Sequence, residues 1–442
     1  MRTNRTRALI LLLALSPLRS WGQSDLTIEA AIRTAWTNNS SLQAGAALVE
    51  ASRQDAFAAR DARLPTLELH ARVLRTDEPV AAFGLKLDQG RIAQPDFDPA
   101  RLNGPDAVYG AGVGASLTQV LYAGGRISAG RRAREAQAGA EASSQERRRQ
   151  ELALAIVEAY FGALVAEQGV RFADDQLAHA RETERFVGAR VRGAQLPEAE
   201  AMRATAVRAQ AEAERAAVLQ KRESARSALS LLIGEPLRDR GLSTPLSTAP
   251  VRLEIFAPPQ ASPTPRPDLQ AARLRVEAAR GAHSVAEGAL LPQLFLMVGV
   301  DTMRSSVSQG NVWTLAMVGA RWELGAPALR ESAAARAREA AASANLQWQQ
   351  QQASREVEEA RSAAVAAQSR IAAAHAAVIA SQSARTLREA RHRQGLLPLT
   401  DLLDAEAGLS GARTLLLSSQ LELRIARAQL ELSLGQPVEG VK

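Results

Sequence analysis

RHRQGLLPLTDLLDA, Arg391 to Ala405, joins two segments that otherwise read as uninterrupted helix. Upstream, residues 328–394 are rich in Ala, Gln, Glu and Arg and contain neither Pro nor Gly. Downstream, residues 399–434 resume an apolar spacing through Leu402, Leu403, Leu409, Leu416, Leu423 and Leu430. Gly395 supplies a residue that tolerates a left-handed conformation at a helix end, and Pro398 suits a first helical turn but not a helix interior. The chain therefore reverses here. A helix of the upstream length is roughly 95 Å long, far more than a compact domain holds.

Composition fits an elongated molecule. The chain has 442 residues, 46% hydrophobic but only 4% aromatic, and much of its apolar content is alanine. Such sequence favours long helices packed closely side by side over a thick globular core. The net charge of +7 would by itself permit a nucleic-acid partner. Arg alternates with Glu and Asp along the helices, however, which marks solvated helix faces and no extended basic patch. The N-terminus sets the compartment. Arg2, Arg5 and Arg7 precede the apolar run Ala8 to Leu15, and small residues around Ser20 and Gly22 follow. Residues 1–22 read as a secretory signal peptide, against the alternative of a membrane anchor, and no other stretch reads as a membrane-spanning helix. With no cysteine, disulfides, thiolate metal sites and a lipidated N-terminal Cys are all excluded.

Two changes of period point to strands. After a helix ending at Pro65, Leu67, Leu69, Ala71 and Val73 alternate with Glu68, His70 and Arg72. Tyr109, Ala111, Val113, Ala115 and Leu117 then alternate with Gly110, Gly112, Gly114, Ser116 and Thr118. Segments of about ten residues, apolar on one side and small or polar on the other, suit a membrane β-barrel wall. Between them, residues 75–106 read as a long polar loop.

The chain then repeats itself. Leu42, Gln43, Ala44, Val49, Glu50, Arg53, Leu64 and Pro65 recur as Leu269, Gln270, Ala271, Val276, Glu277, Arg280, Leu291 and Pro292, at a constant offset of 227. Arg190, Arg192, Pro197, Leu231 and Gly234 recur as Arg391, Arg393, Pro398, Leu432 and Gly435, at an offset of 201. The first copy, 23–237, is predicted to hold a helix, strands 66–74 and 108–119, a long helix 126–192 and a helix 198–233. A Pro-rich segment, 238–267, read as a linker or as an equatorial side segment, leads to the second copy, 268–437, with strands 293–301 and 312–323 and helices 328–394 and 399–434. The fold class is mainly α with a membrane β-barrel part, internally duplicated. Four strands cannot close a barrel, which needs at least about eight, so subunits must pool them; three copies give twelve strands.

With these elements the chain resembles the TolC family of outer-membrane efflux channels over almost its whole mature length. The likeness rests on the duplicated Leu-Gln-Ala to Leu-Pro helix, the segment Leu117 to Arg126, the turn Gln394-Gly395 with Thr400 to Ala405, and a loop carrying Ala82-Phe83-Gly84, Asp96 to Pro99 and Leu102-Asn103. It implies a homotrimer with a twelve-stranded barrel in outer-membrane lipid and a coiled-coil-like α-helical tunnel in the periplasm of a Gram-negative bacterium. It further implies a periplasmic adaptor (membrane fusion) protein and an inner-membrane transporter as partners, docking where Gly193 and Gly395 turn the chain. On that resemblance Arg190, Gly193, Leu196, Pro197, Arg391, Gly395, Leu396, Leu397 and Pro398 are the expected adaptor contacts; taken alone they are simply helix-to-helix turns. Arg385 and Arg388 make a cationic pore constriction if they face the lumen, and otherwise are solvated or paired with Glu389. His392 reads as a surface residue. Trp313, Trp322 and Tyr122 fall near strand ends, as girdle residues or as barrel packing. No catalytic, cofactor or metal constellation stands out, and an enzyme is not expected. The competing class is a periplasmic coiled-coil adaptor or scaffold, which has no use for duplicated strands with a lipid-compatible face.

Overall fold

The computed structural model describes residues 25–238, 240–246, 266–306 and 310–441. The signal segment and most of the Pro-rich linker lie outside the described residues. In chain order the elements are α1 (Ile28–Asn38), α2 (Ser40–Asp61), β1 (Thr66–Thr76), α3 (Pro79–Asp88), α4 (Pro99–Asn103), β2 (Val108–Ala123), α5 (Arg126–Arg192), α6 (Glu198–Ile233), α7 (Pro267–Gly288), β3 (Gln293–Arg304), β4 (Gly310–Arg321), α8 (Ala326–Arg393) and α9 (Leu399–Ser433). The N-terminal helix is cut in two at Asn39, whose side chain accepts from the Ser41 and Leu42 amides and so starts α2. The strands run a few residues past the alternation that announces them, because sheet pairing continues through Arg75, Thr76, Tyr122 and Arg304.

The strands form one antiparallel sheet in the order β1-β2-β3-β4, so the junction of the two copies is the β2–β3 pair. Register places His70, Gly114, Asp301 and Trp313 side by side on one face. The other face carries Leu67, Leu69, Val73, Tyr109, Val113, Leu117, Val298, Val300 and Val312, all exposed in the single chain. The His70 face is mixed: it carries Glu68, Arg72, Gly110, Gly112, Ser116 and Asp301, but also Phe295, Met297, Leu315 and Met317. The consistently apolar, exposed face is the other one, as a lipid-facing barrel wall requires. Trp313 points inward, and it and Leu74 pack on the same buried cluster. Trp313 is therefore no outer girdle residue.

Helix adjacency produces four parallel columns. In the half next to the sheet, α2, α5, α7 and α8 lie side by side; in the far half the order is α6, α5, α9 and α8. Helices α5 and α8, of 67 and 68 residues, run through both halves and are each about 100 Å long. The other two columns are stacked end to end, α2 over α6 and α7 over α9. The joints match. Asn39 Nδ2 donates to the Leu232 carbonyl at 2.9 Å, and Arg266 Nη1 donates to the Ser433 carbonyl at 3.1 Å. Asn39 and Arg266 are related by the 227 offset, Leu232 and Ser433 by the 201 offset. Two different side chains thus cap the same orphan carbonyl in each copy.

Three readings of the sequence need correction. Residues 75–106 are no plain loop: Glu78 accepts from the Val80 and Ala81 amides, Pro79 sits at the first helical position, and α3 follows. Residues 240–246 of the linker are fastened, since Leu26 bridges Leu242, and Tyr160 Oη donates to the Leu26 carbonyl at 2.6 Å while accepting from Thr244 N at 2.9 Å. Finally, α5 and α8 both contain stretches long and apolar enough to cross a bilayer by length and composition. In α5 that stretch is the core itself, with Ile156, Val157, Tyr160 and Phe161 buried against α1 and α6, and in α8 it is mostly alanine; both helices continue far beyond a span's length.

The joints generate a stability test. Gly234 has φ +79, and a Cβ there would stand 2.8 Å from the Asn38 carbonyl oxygen. Gly234→Ala is expected to destabilise the fold by about 2 kcal/mol, combining left-handed strain with backbone collision. A thermal unfolding midpoint equal to that of the wild type would show that the joint is not tightly packed.

Candidate functional site

At the end of the columns farthest from the sheet, the α5–α6 and α8–α9 connections lie together. Each is a Schellman-type reversal. The amides of Gly193, Ala194 and Gln195 donate to the carbonyls of Ala189, Val191 and Arg190; those of Gln394, Gly395 and Leu396 donate to Ala390, His392 and Arg391. The pattern is the same at an offset of 201. The left-handed residue is Gly395 in the second copy, φ +76, as expected from its neighbourhood. In the first copy it is Ala194, φ 56, and Gly193 has an ordinary φ of −82. Gly193 therefore does not do there what Gly395 does, because the glycine is one residue out of register.

The two reversals share a small core. Val187, Ala204, Leu399 and Leu402 are buried, with Val191, Leu196 and Leu403 packed against them. Leu399 and Leu402, which stand where the first copy has Glu198 and Ala201, are thus consumed inside the tip against α5 and α6. Leu196 belongs to the same cluster. On the outside stand Leu396, 68% exposed, and the exposed Pro197, Gly193, Gly395, Pro398 and Arg391, with Leu397 half-buried. Arg190 lies over the Phe186 ring at 4.6 Å.

His392 is not at the surface. It is 7% exposed, its ring meets Phe186 edge-on at 6.2 Å, and Nδ1 lies 2.9 Å from the Leu397 carbonyl oxygen. A carbonyl only accepts, so Nδ1 carries the proton and holds the turn closed from within. Its Nε2 is buried without a partner. The sequence signal for this was the i to i+5 spacing across Gly395, which brings a last-turn side chain over the reversal.

Two turns further up α8, Arg385 forms ion pairs with Glu389 at 2.6 Å and Glu406 at 3.7 Å, and it is largely buried. Its partner on α9 was not legible from sequence, because α8 and α9 meet only once the turn is formed. Arg388 is exposed and donates from Nη1 to the Asp401 carbonyl at 3.2 Å. Burial pushes the Glu406 carboxyl up despite the opposing pull of Arg385 and His179, and Glu389 adds to the rise. A second tie between the columns, Gln176 Nε2 to Ser410 Oγ, lies nearby.

Comparison with known proteins identifies the class of molecule to which this architecture belongs. A family model described as outer membrane efflux protein matches residues 31–235 and 259–436. Among solved structures, the chain is similar to the CmeC outer membrane channel of Campylobacter jejuni, with TM-score 0.77 and 16% identity over 94% of this chain and 87% of that one. The MtrE outer membrane channel of Neisseria gonorrhoeae, in its open state, gives 0.74 and 22% over 95% and 90%. The outer membrane protein VceC of Vibrio cholerae gives 0.75 and 20% over 93% and 96%. No curated protein sequence matches.

Two outcomes test the tip geometry. Ala194→Gly is expected to stabilise the first reversal by about 1 kcal/mol by removing left-handed strain, read as slower amide exchange at residues 190–200. Glu406→Gln addresses the buried carboxyl. A raised carboxyl favours folding most at acidic pH, and this contribution is lost as pH rises through its folded-state ionisation. The variant should therefore slow exchange of the α8–α9 tip at neutral pH and leave it unchanged in acid. A pH-independent effect would assign the result to packing alone.

Proposed function

The chain belongs to the outer membrane efflux protein family, and from that premise we propose that it is the outer-membrane duct of a tripartite efflux or secretion system. The observation that carries this reading is the four-stranded sheet, apolar on its outer face and open at β1 and β4, set on a row of helical columns about 100 Å long. An open edge in hydrocarbon leaves backbone donors and acceptors unpaired, each costing several kcal/mol. Pairing β4 of one copy with β1 of the next removes both edges, and three copies close a barrel of twelve strands over twelve columns.

In this reading the duct conducts passively from the periplasmic tip to the exterior, and an inner-membrane transporter supplies the energy. A periplasmic adaptor docks on the exposed rim of the tip: Leu396 and Leu397 give apolar contact, Arg190 and Arg391 give charge, Pro197, Gly395 and Pro398 fix the loop shapes, and Gly193 leaves the first loop's surface without a side chain. Leu196 contributes indirectly, as packing beneath the rim. Of the two arginines considered for a constriction, Arg388 is the one that offers an exposed cation, whereas Arg385 is neutralised by Glu389 and Glu406.

The first test is cell fractionation. The mature protein should appear in the outer membrane as a heat-dissociable trimer. Recovery as a soluble periplasmic protein would favour the coiled-coil scaffold instead. Gly395→Val should distort the second reversal and lower export while the trimer still assembles; unchanged drug sensitivity at normal protein levels would argue against adaptor docking there. In planar bilayers Arg388→Ala should lose anion preference, and Arg385→Ala, by uncovering Glu389 and Glu406, should shift selectivity towards cations. Wild-type ion selectivity in both variants would remove the constriction from this level of the tunnel.

A further inference from the structure

The connection between β1 and β2 folds inward. Ala82 and Leu85 of α3 are buried against Val108 and Met303, with Leu74 and Trp313 around them. All four of these contacts lie on the His70–Gly114–Asp301 face of the sheet, opposite the apolar outer face. The wall is thinned to receive the helix. A Cβ at Gly110 would lie 2.8 Å from Leu85 Cδ1 and 2.8 Å from Met303 Sδ. Gln89, 2% exposed, donates from Nε2 to the Tyr109 carbonyl at 2.7 Å. Lys86 pairs with Asp96 at 2.9 Å, and the Ala93 amide donates to the other Asp96 oxygen at 2.9 Å, which tie the returning chain to the helix. These bonds hold the Asp96 carboxyl below the usual range, the Ala93 amide first and Lys86 next. This is a seated helix with its own small core, and a loop that merely spans two strands would need none of it.

The face of α3 turned away from the wall is apolar. Val80 is 78% exposed and Leu87 51% exposed, and Gly84 between them has open space around its Cα. The three positions share one helical stripe, at i, i+4 and i+7. A buried face against the wall and an apolar stripe opposite it leave only one direction for the stripe, which is into the space the sheet encloses.

Resting on the trimeric barrel reading above, we propose that α3 is an exit filter: one copy from each subunit narrows the outer mouth of the barrel, and Val80 and Leu87 form an apolar rim that sets the size limit of what passes. Such a rim also disfavours water and small ions relative to apolar-faced cargo, because a narrow apolar ring is poorly wetted. Selection at this rim is separate from any gate at the helical tip, which lies at the other end of the molecule.

The chain has no cysteine, so a single Ser116→Cys, inward-facing on β2 and nearer the columns than α3, reports on access from outside. Intact cells carrying it are treated with N-ethylmaleimide and with maleimides bearing polyethylene glycol chains of increasing size. Two further variants are compared in the same background: Val80→Ala/Leu87→Ala trims the rim, and Leu85→Asp unseats the helix. Labelling by the larger reagents is expected to rise about tenfold in both, the change that a modest lowering of an entry barrier gives, while N-ethylmaleimide labels all three alike. One size cut-off shared by all three overturns the filter and leaves the barrel standing. Failure of N-ethylmaleimide to label Ser116→Cys in assembled trimers overturns the barrel reading and the filter with it. Should Leu85→Asp fail to assemble, the rim-trimmed variant alone decides.

Discussion

An open sheet edge cannot stand in hydrocarbon, and the rest of this molecule follows from how that constraint is met. Each strand along β1 or β4 would leave a row of amides and carbonyls without water or protein partners. Closure within one chain would need more strands than the four present among the described residues. On the trimeric reading proposed above, the chain carries a third of a wall, and everything attached to the wall also comes in thirds. Four helical columns per chain continue four strands, so that one arc of sheet sits on one arc of tunnel. Duplication supplies the arc economically, since each copy contributes two strands, one continuous column and one stacked column.

The stacked columns show how duplication and packing differ as kinds of information. Both joints use a side chain from the upper helix to cap a carbonyl at the end of the lower one, Asn39 on Leu232 and Arg266 on Ser433. The geometry is kept while the residue type is not. Arg266 brings a charge that Asn39 does not, and it is met by Asp268 and Glu356, both at 2.7 Å. A buried guanidinium without them would be costly, and with them it is roughly neutral for stability. Chain position was enough to relate the joints; the chemistry at each had to be seen.

Legibility divides along the same line. Periods of two and of three to four residues, the breaks at Pro65, Gly193 and Gly395 and the two offsets are local or translational signals, and they placed strands, columns and turns. What escaped depends on contacts between segments distant in the chain. His392 reads as surface because its neighbours Arg391 and Arg393 are exposed, yet Phe186, some two hundred positions earlier, covers its ring. Arg385 finds Glu406 only across the folded hairpin. The helix α3 hid behind Pro and Gly residues that resemble loop composition, although Glu78-Pro79 is a helix start by capping chemistry.

The tip is where duplication has been allowed to lapse, and the asymmetry has a direction. Ala194 stands in a left-handed conformation that costs about 1–2 kcal/mol for a residue with a Cβ, while Gly395 adopts its counterpart freely. Beyond the turns, Glu198 and Ala201 occupy the positions of Leu399 and Leu402. The second copy thus supplies the leucines and the first supplies Val187, Val191 and Leu196 to receive them. Perfect repeats would place leucine on leucine at both sites and make two equivalent tips. The unequal pair instead binds the α8–α9 hairpin to the α5–α6 hairpin within one chain, and leaves Leu396 as the apolar side chain displayed by the second reversal. On the docking proposed above, a partner reading this surface would meet two different loops, and the second reversal, with its exposed leucine and unstrained glycine, would be the stronger place for it to hold.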